Sequence, residues 1–148
     1  MQIEFRHITS SDPDKIALIE SAVFSDPWSA GDFSDMLASP HHSVICASNG
    51  SGDVLGYAAA SFVAGESELL RIAVSQDSRR RGIGLTLLRA IIDERRRAND
   101  EVIFLEVRSR NTPAVSLYTS AGFSAYATRK GYYKAPADDA LMMSLPLK

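Results

Sequence analysis

The run Ile72-Ala73-Val74, followed shortly by Arg79-Arg80-Arg81-Gly82-Ile83-Gly84-Leu85, joins a β-type apolar segment to a glycine turn that opens a helix. A junction of this kind binds anions. The N–H groups of a helix's first turn lack intrahelical partners, and the helix dipole adds partial positive charge there. Gly82 and Gly84 let a ligand approach the backbone without interference from Cβ. Arg79, Arg80 and Arg81 add formal charge and forked donors suited to phosphate.

Two nucleotide signatures compete for this segment and neither fits. A P-loop needs Gly-Lys-Ser/Thr after its turn, but Gly84 is followed by Leu85-Thr86. A dinucleotide fingerprint needs a third glycine and a downstream acid, and the third glycine is missing. What remains is Arg79-x-x-Gly82-x-Gly84 after a strand. A second informative stretch runs from Leu105-Glu106-Val107-Arg108 through Asn111 and Leu117-Tyr118 to Gly122-Phe123. Taken alone, Glu106 could face solvent or pair with Arg108, Tyr118 could be a core aromatic, and Asn111 could be a helix cap.

These residues need a scaffold, and the hydrophobic pattern supplies one. Ile3 and Phe5 alternate with Glu4 and Arg6 as in an opening strand. Asp12-Pro13 reads as N-cap and first helical position, with Ile16, Ile19, Glu20 and Val23 on neighbouring turns. Ser29-Ala30-Gly31-Asp32 forms a capping box for a second short helix that Pro40 ends. Residues 43–49 and 54–63 flank the turn sequence Asn49-Gly50-Ser51-Gly52-Asp53 and predict a hairpin. A strand over 68–74, a helix over 82–98 and a strand over 101–107 make a βαβ unit, which predicts parallel neighbouring strands. A helix from Asn111 closes at Gly122, and two last strands, 123–130 and 139–146, surround Gly131-Tyr132-Tyr133-Lys134-Ala135-Pro136. The fold class is α/β, with one mixed sheet and no interdomain linker, so residues 1–148 are expected to form a single domain.

Composition narrows the function classes. A net charge of -2 gives no bulk attraction to nucleic acid or to anionic membrane. Arg95-Arg96-Arg97 reads as a solvated helix end. Cys46 is the single cysteine, so an intrachain disulfide and a multi-cysteine metal site are excluded. It sits in the apolar strand pattern Ser43-Val44-Ile45-Cys46-Ala47 and reads as a buried structural residue. His41-His42 has no metal-ligand spacing and reads as loop. No apolar run approaches a membrane span and no signal-like segment follows Met1, which suggests a cytoplasmic protein.

The glycine turn resembles motif A of the GNAT family of N-acetyltransferases, and the 105–123 stretch resembles its motif B. The two occur in the family's order and spacing, and the matching elements extend the resemblance over nearly the whole chain. It implies a GNAT-like sheet of about seven mostly antiparallel strands with four helices, and acetyl-CoA as co-substrate without a metal. By the same resemblance, Ile72, Ala73 and Val74 align the pantetheine arm. Arg79, Arg80, Arg81, Gly82, Ile83, Gly84 and Leu85 hold the pyrophosphate, and Asn111 bonds the cofactor's amide portion. Glu106 is implied as base and Tyr118 as acid, with direct attack of an amine on the thioester. Glu66 and Glu68 remain alternative bases, because other branches of the family use that earlier strand.

Pro27-Trp28-Ser29 and Tyr132-Tyr133 carry a narrower likeness, to a bacterial branch that acetylates the N-terminal alanine of a ribosomal protein. Arg110, where that branch usually has serine, and Gly131, where it often has asparagine, depart from its pattern and bear on peptide preference. Phe24, Pro27, Trp28, Tyr132 and Tyr133 are implied as acceptor walls; the alternative, favoured for Phe24, is that Phe24 and Trp28 staple the first two helices to the sheet. An α-amine near pKa 7.8 is roughly 10% neutral at pH 7 and a lysine amine below about 0.1%, so a single carboxylate suits the former. The expected partner is a protein N-terminus, with the enzyme monomeric or weakly dimeric and without direct contact to nucleic acid or membrane. A lysine or small-amine acetyltransferase and a non-catalytic acyl-CoA-binding module are the alternatives.

Overall fold

The computed structural model describes residues 2–148. These form β1 (Ile3–His7), α1 (Pro13–Val23), α2 (Ala30–Ala38), β2 (His42–Asn49), β3 (Val54–Val63), β4 (Glu66–Val74), α3 (Ile83–Arg97), β5 (Val102–Arg108), α4 (Thr112–Ser120), β6 (Ser124–Lys134) and β7 (Ala137–Pro146). The seven strands make one sheet in the order β1-β2-β3-β4-β5-β7-β6. Every neighbouring pair is antiparallel except β4 and β5, which are parallel, as a βαβ crossover through α3 requires.

Each face of the sheet has its own core. Ile83, Leu87, Leu88, Ile91 and Ile92 of α3 pack on one face, against Ala58, Ala60, Leu69 and Ile103. Their spacing gives the helix one apolar stripe. Ile16 and Ile19 of α1 and Phe33 of α2 pack on the other, against Val44, Cys46, Tyr57, Ala59 and Ala73. Cys46 is fully buried there.

Asp12 is the N-cap of α1 and Pro13 its first residue, as expected, although the Asp12 carboxylate caps no helical N–H and accepts instead from Arg6 Nη1 (2.8 Å) and the Thr9 N–H (2.7 Å). Two sequence expectations are corrected. Arg95 is not solvated: its guanidinium lies 3.6 Å from the Phe62 ring centre and pairs with Asp100 at 3.2 Å. Residues 131–134 are not a loop between the last strands but the end of β6, because the register with β7 shifts between Arg129 and Tyr133. Gly131 has φ +65° there, a conformation open to glycine, so it marks a bulge rather than the hairpin turn.

Candidate active site

β4 and β5 pair only from Glu66↔Val102 to Glu68↔Phe104. Beyond that point β4 stays with β3 as far as Val74 and β5 stays with β7 as far as Arg108. The facing backbone edges of the two strands therefore part, leaving a V-shaped opening across which the backbone groups do not pair with each other. At its wide end, a single 3-10 turn (Gln76–Ser78) leads into the 79–85 segment. Arg80 and Gly82 both adopt left-handed backbone, with φ +65° and +74°.

Gly82 is the N-cap of α3 and offers no side chain to cap it. The first intrahelical bond runs from Thr86 N–H to Gly82 O at 3.1 Å, so the N–H groups of Ile83, Gly84 and Leu85 belong to the orphan first turn. The Ile83 side chain is core, so only its backbone can serve a ligand. A Cβ on Gly84 would make ordinary contacts at 3.7 Å with Val74 and 3.8 Å with Leu117, so nothing in the chain itself demands glycine there. Those contacts also show the end of β4, the start of α3 and helix α4 converging. Arg79, Arg80 and Arg81 are all exposed, and Arg79 turns back to donate from Nε to the Val74 carbonyl at 3.2 Å. Asn111 is the N-cap of α4, its Oδ1 accepting from Ala114 N–H at 3.3 Å, which leaves its amide nitrogen for other use.

Where the strands part, Glu106 is half-buried on β5. The Glu106 carboxylate raises the Tyr132 phenol's pKa, first as a hydrogen-bonding neighbour and then through its charge. Glu68 is raised by burial first and by the nearby Glu106 charge second. Burial and then Glu106 also raise Tyr133, opposed by Arg108, whose guanidinium lies 4.1 Å from that ring's centre. Arg108 Nη1 also donates to the Pro136 carbonyl at 2.7 Å, tying the β6–β7 hairpin to β5. The Gly131 bulge turns Tyr132 and Tyr133 into edge-on contact, 5.0 Å between centres. Tyr118 on α4 is 8% exposed, packs edge-on against Phe123, and has its phenol pushed up to about 12 by burial and by Tyr133.

The charge of Glu106 thus reaches Glu68, Tyr132 and Tyr133, and Tyr133 in turn reaches Tyr118. Glu66, two residues before Glu68, starts β4 opposite Val102. Phe24 and Trp28 are half-buried and Pro27 is exposed in the α1–α2 loop. Ser29 closes the capping box as expected, its hydroxyl accepting from Asp32 N–H at 3.1 Å and its own N–H donating to Asp32 at 2.8 Å. Sequence reasoning missed Arg71, which stacks on both loop aromatics at 4.5 and 4.1 Å from their ring centres. The adjacent pair Leu69-Leu70, a break in strand alternation, was the available signal. Among the described residues no group of three or more His, Cys, Asp or Glu could hold a metal ion, and no helix is long and apolar enough to cross a membrane.

An uncapped, glycine-led helix at the mouth of a parted parallel strand pair is an anion-binding arrangement. The family profile described as "Acetyltransferase (GNAT) family" matches residues 14–123, and the chain belongs to this family. It is an acetyl-CoA-dependent enzyme. The chain is 37% identical over 142 residues to N-alpha-acetyltransferase RimI of Mycobacterium tuberculosis, covering 92% of this chain and 87% of that protein. It is 33% identical over 131 residues to the [ribosomal protein bS18]-alanine N-acetyltransferase of Escherichia coli K12, covering 87% of each. The crystal structure of the ribosomal-protein-S18-alanine N-acetyltransferase from Escherichia coli superposes with a TM-score of 0.90 at 29% identity, covering 99% of this chain and 95% of that one.

Proposed function

We propose that this enzyme acetylates a protein α-amine, the N-terminal alanine of a small-subunit ribosomal protein of the bS18 kind, with Glu106 as base and Tyr118 as acid. The observation that carries the reading is the placement of Glu106, with Glu68 and the paired tyrosines, where β4 and β5 part. The relatives named for acting on bS18 alanine cover most of this chain and support the choice of acceptor.

Bound acetyl-CoA supplies an activated thioester. The N–H groups of Ile83, Gly84 and Leu85, with Arg80 and Arg81, hold its pyrophosphate, and the free edge of β4 at 72–74 aligns its arm. The acceptor enters between the α1–α2 loop and the β6–β7 hairpin, against Phe24, Pro27, Trp28, Tyr132 and Tyr133. Glu106 takes the proton of the ammonium, leaving the amine nucleophilic. The amine attacks the thioester carbonyl, the C–N bond forming as the C–S bond breaks, and its remaining surplus proton passes to solvent. Tyr118, kept protonated by its raised pKa, donates its proton to the departing thiolate.

A thiol-release assay tests the reading, with acetyl-CoA against peptides beginning with different residues, N-blocked lysine peptides and polyamines. Turnover confined to N-terminal peptides, with alanine preferred, is expected. Preferential turnover of lysine peptides or polyamines would overturn the acceptor assignment.

A further inference from the structure

Arg71 lies on β4, three residues beyond Glu68, and strict alternation would send the two side chains to opposite faces. A register shift in the β3–β4 pair prevents this: Ala59 faces Arg71 while Ala60 faces Leu69, so Leu70 is the bulged residue. Arg71 thereby joins Ala73 and Glu68 on the face covered by α1 and α2.

Its guanidinium is held almost wholly by the α1–α2 loop. The cation lies 4.5 Å from the Phe24 ring centre and 4.1 Å from that of Trp28, and Nη2 donates to the Asp26 carbonyl at 3.2 Å. Nη1 pairs with Glu20, a fully buried carboxylate of α1. Glu20 accepts in turn from the Trp28 N–H at 2.9 Å and from the buried Tyr57 hydroxyl. Two aromatic faces and a forked set of donors require a planar cation, which lysine does not supply. A buried ion pair adds little to stability over a well-packed apolar pair, but it fixes geometry.

We infer that Arg71 is a positioning residue for the acceptor amine: it clamps the Phe24–Trp28 wall to the strand that aligns the acetyl donor, so the two substrates are held by one rigid unit. The inference rests on the reading that this loop walls the acceptor site. Arg71 touches no reacting atom, so its loss loosens acceptor binding more than it slows the chemical step.

Trp28 is the single tryptophan of the chain, so its fluorescence reports the clamp directly. Arg71→Lys keeps the charge without the fork, and Glu20→Gln/Arg71→Met removes both partners so that no buried charge is stranded. Tyr57→Phe is the structural control, since it removes a bond to Glu20 from the sheet side. In both Arg71 variants, acrylamide should quench Trp28 about twofold more effectively. KM for an alanine-started peptide should rise about tenfold, with kcat and coenzyme A affinity within about threefold of wild type. Tyr57→Phe should lower Tm without moving KM or quenching. An unchanged KM in folded Arg71 variants overturns the inference, as does an equal fall of kcat, peptide affinity and cofactor affinity matched by Tyr57→Phe. Should wild type prefer another amine, the acceptor assignment fails separately, and the KM comparison is made with that amine.

Discussion

Gly82 allows the anion site to be tested apart from the fold. Its φ is +74°, and a Cβ built on it meets no atom within 4 Å. Alanine there costs only conformation, about 1–2 kcal/mol for an L-residue in the left-handed region. For a chain of 148 residues that is a fall in Tm of roughly 2–8 °C. Aspartate tolerates this region at least as well, so Gly82→Asp should match or exceed Gly82→Ala in stability without ligand. The two differ by one negative charge beside the first turn of α3. At about 5 Å from a phosphate charge, the repulsion is roughly 0.8 kcal/mol at a dielectric of 80 and about 3 kcal/mol at 20. Coenzyme A affinity of Gly82→Asp should therefore lie about 4- to 150-fold below that of Gly82→Ala. Calorimetric titration measures the gap, which should narrow as salt shortens the Debye length from about 10 Å at 0.1 M to about 3 Å at 1 M. Equal coenzyme A affinities of the two folded variants at low salt would refute the phosphate assignment.

Tyr118→Phe keeps the buried ring and its contact with Phe123, and should lower kcat by roughly 10²-fold with Tm little changed; a wild-type rate returns the residue to the core. With its phenol held up near 12, wild-type kcat should show no alkaline limb centred at the ordinary tyrosine value of 10, and a limb there contradicts the environment described. The same raised value means that stability from the neutral phenol is complete below pH 10 and lost as pH climbs towards 12. Denaturation titrations should show a smaller alkaline loss in Tyr118→Phe. Phe33→Ala empties a fully buried position between Trp28 and Tyr57 and should cost about 3–5 kcal/mol by urea unfolding; a loss below about 1 kcal/mol would show the α2 contact to be dispensable.

Where local chemistry decides structure, the sequence was legible. The capping box at Ser29, the glycine cap at Gly82 and the Asn49–Asp53 hairpin each follow from residues close together in the chain, and the βαβ crossover follows from three consecutive elements each with its own period. The misreadings involve nonlocal partners. Gly131 carries the same signal whether it makes a turn or a bulge, and only pairing with β7 makes it a bulge that turns two tyrosines towards Glu106. Arg71 was hidden because the bulge at Leu70 is set by the register with β3. Arg95 looked like one of three solvated arginines, and its cover comes from Phe62, far away in sequence. Glu106 could be placed at a strand end from pattern alone, but its neighbours Glu68, Tyr132 and Tyr133 come from other strands and the chain does not announce them.

Whether Glu106 takes the proton of the acceptor amine is decided by Glu106→Gln, with kcat measured across pH beside coenzyme A affinity. A deep loss of kcat at neutral pH is expected, with partial recovery at alkaline pH where more of an α-amine is already neutral, and cofactor affinity close to wild type. Parallel pH profiles at similar rates would contradict it, and would move the search for the base to Glu68 or Glu66.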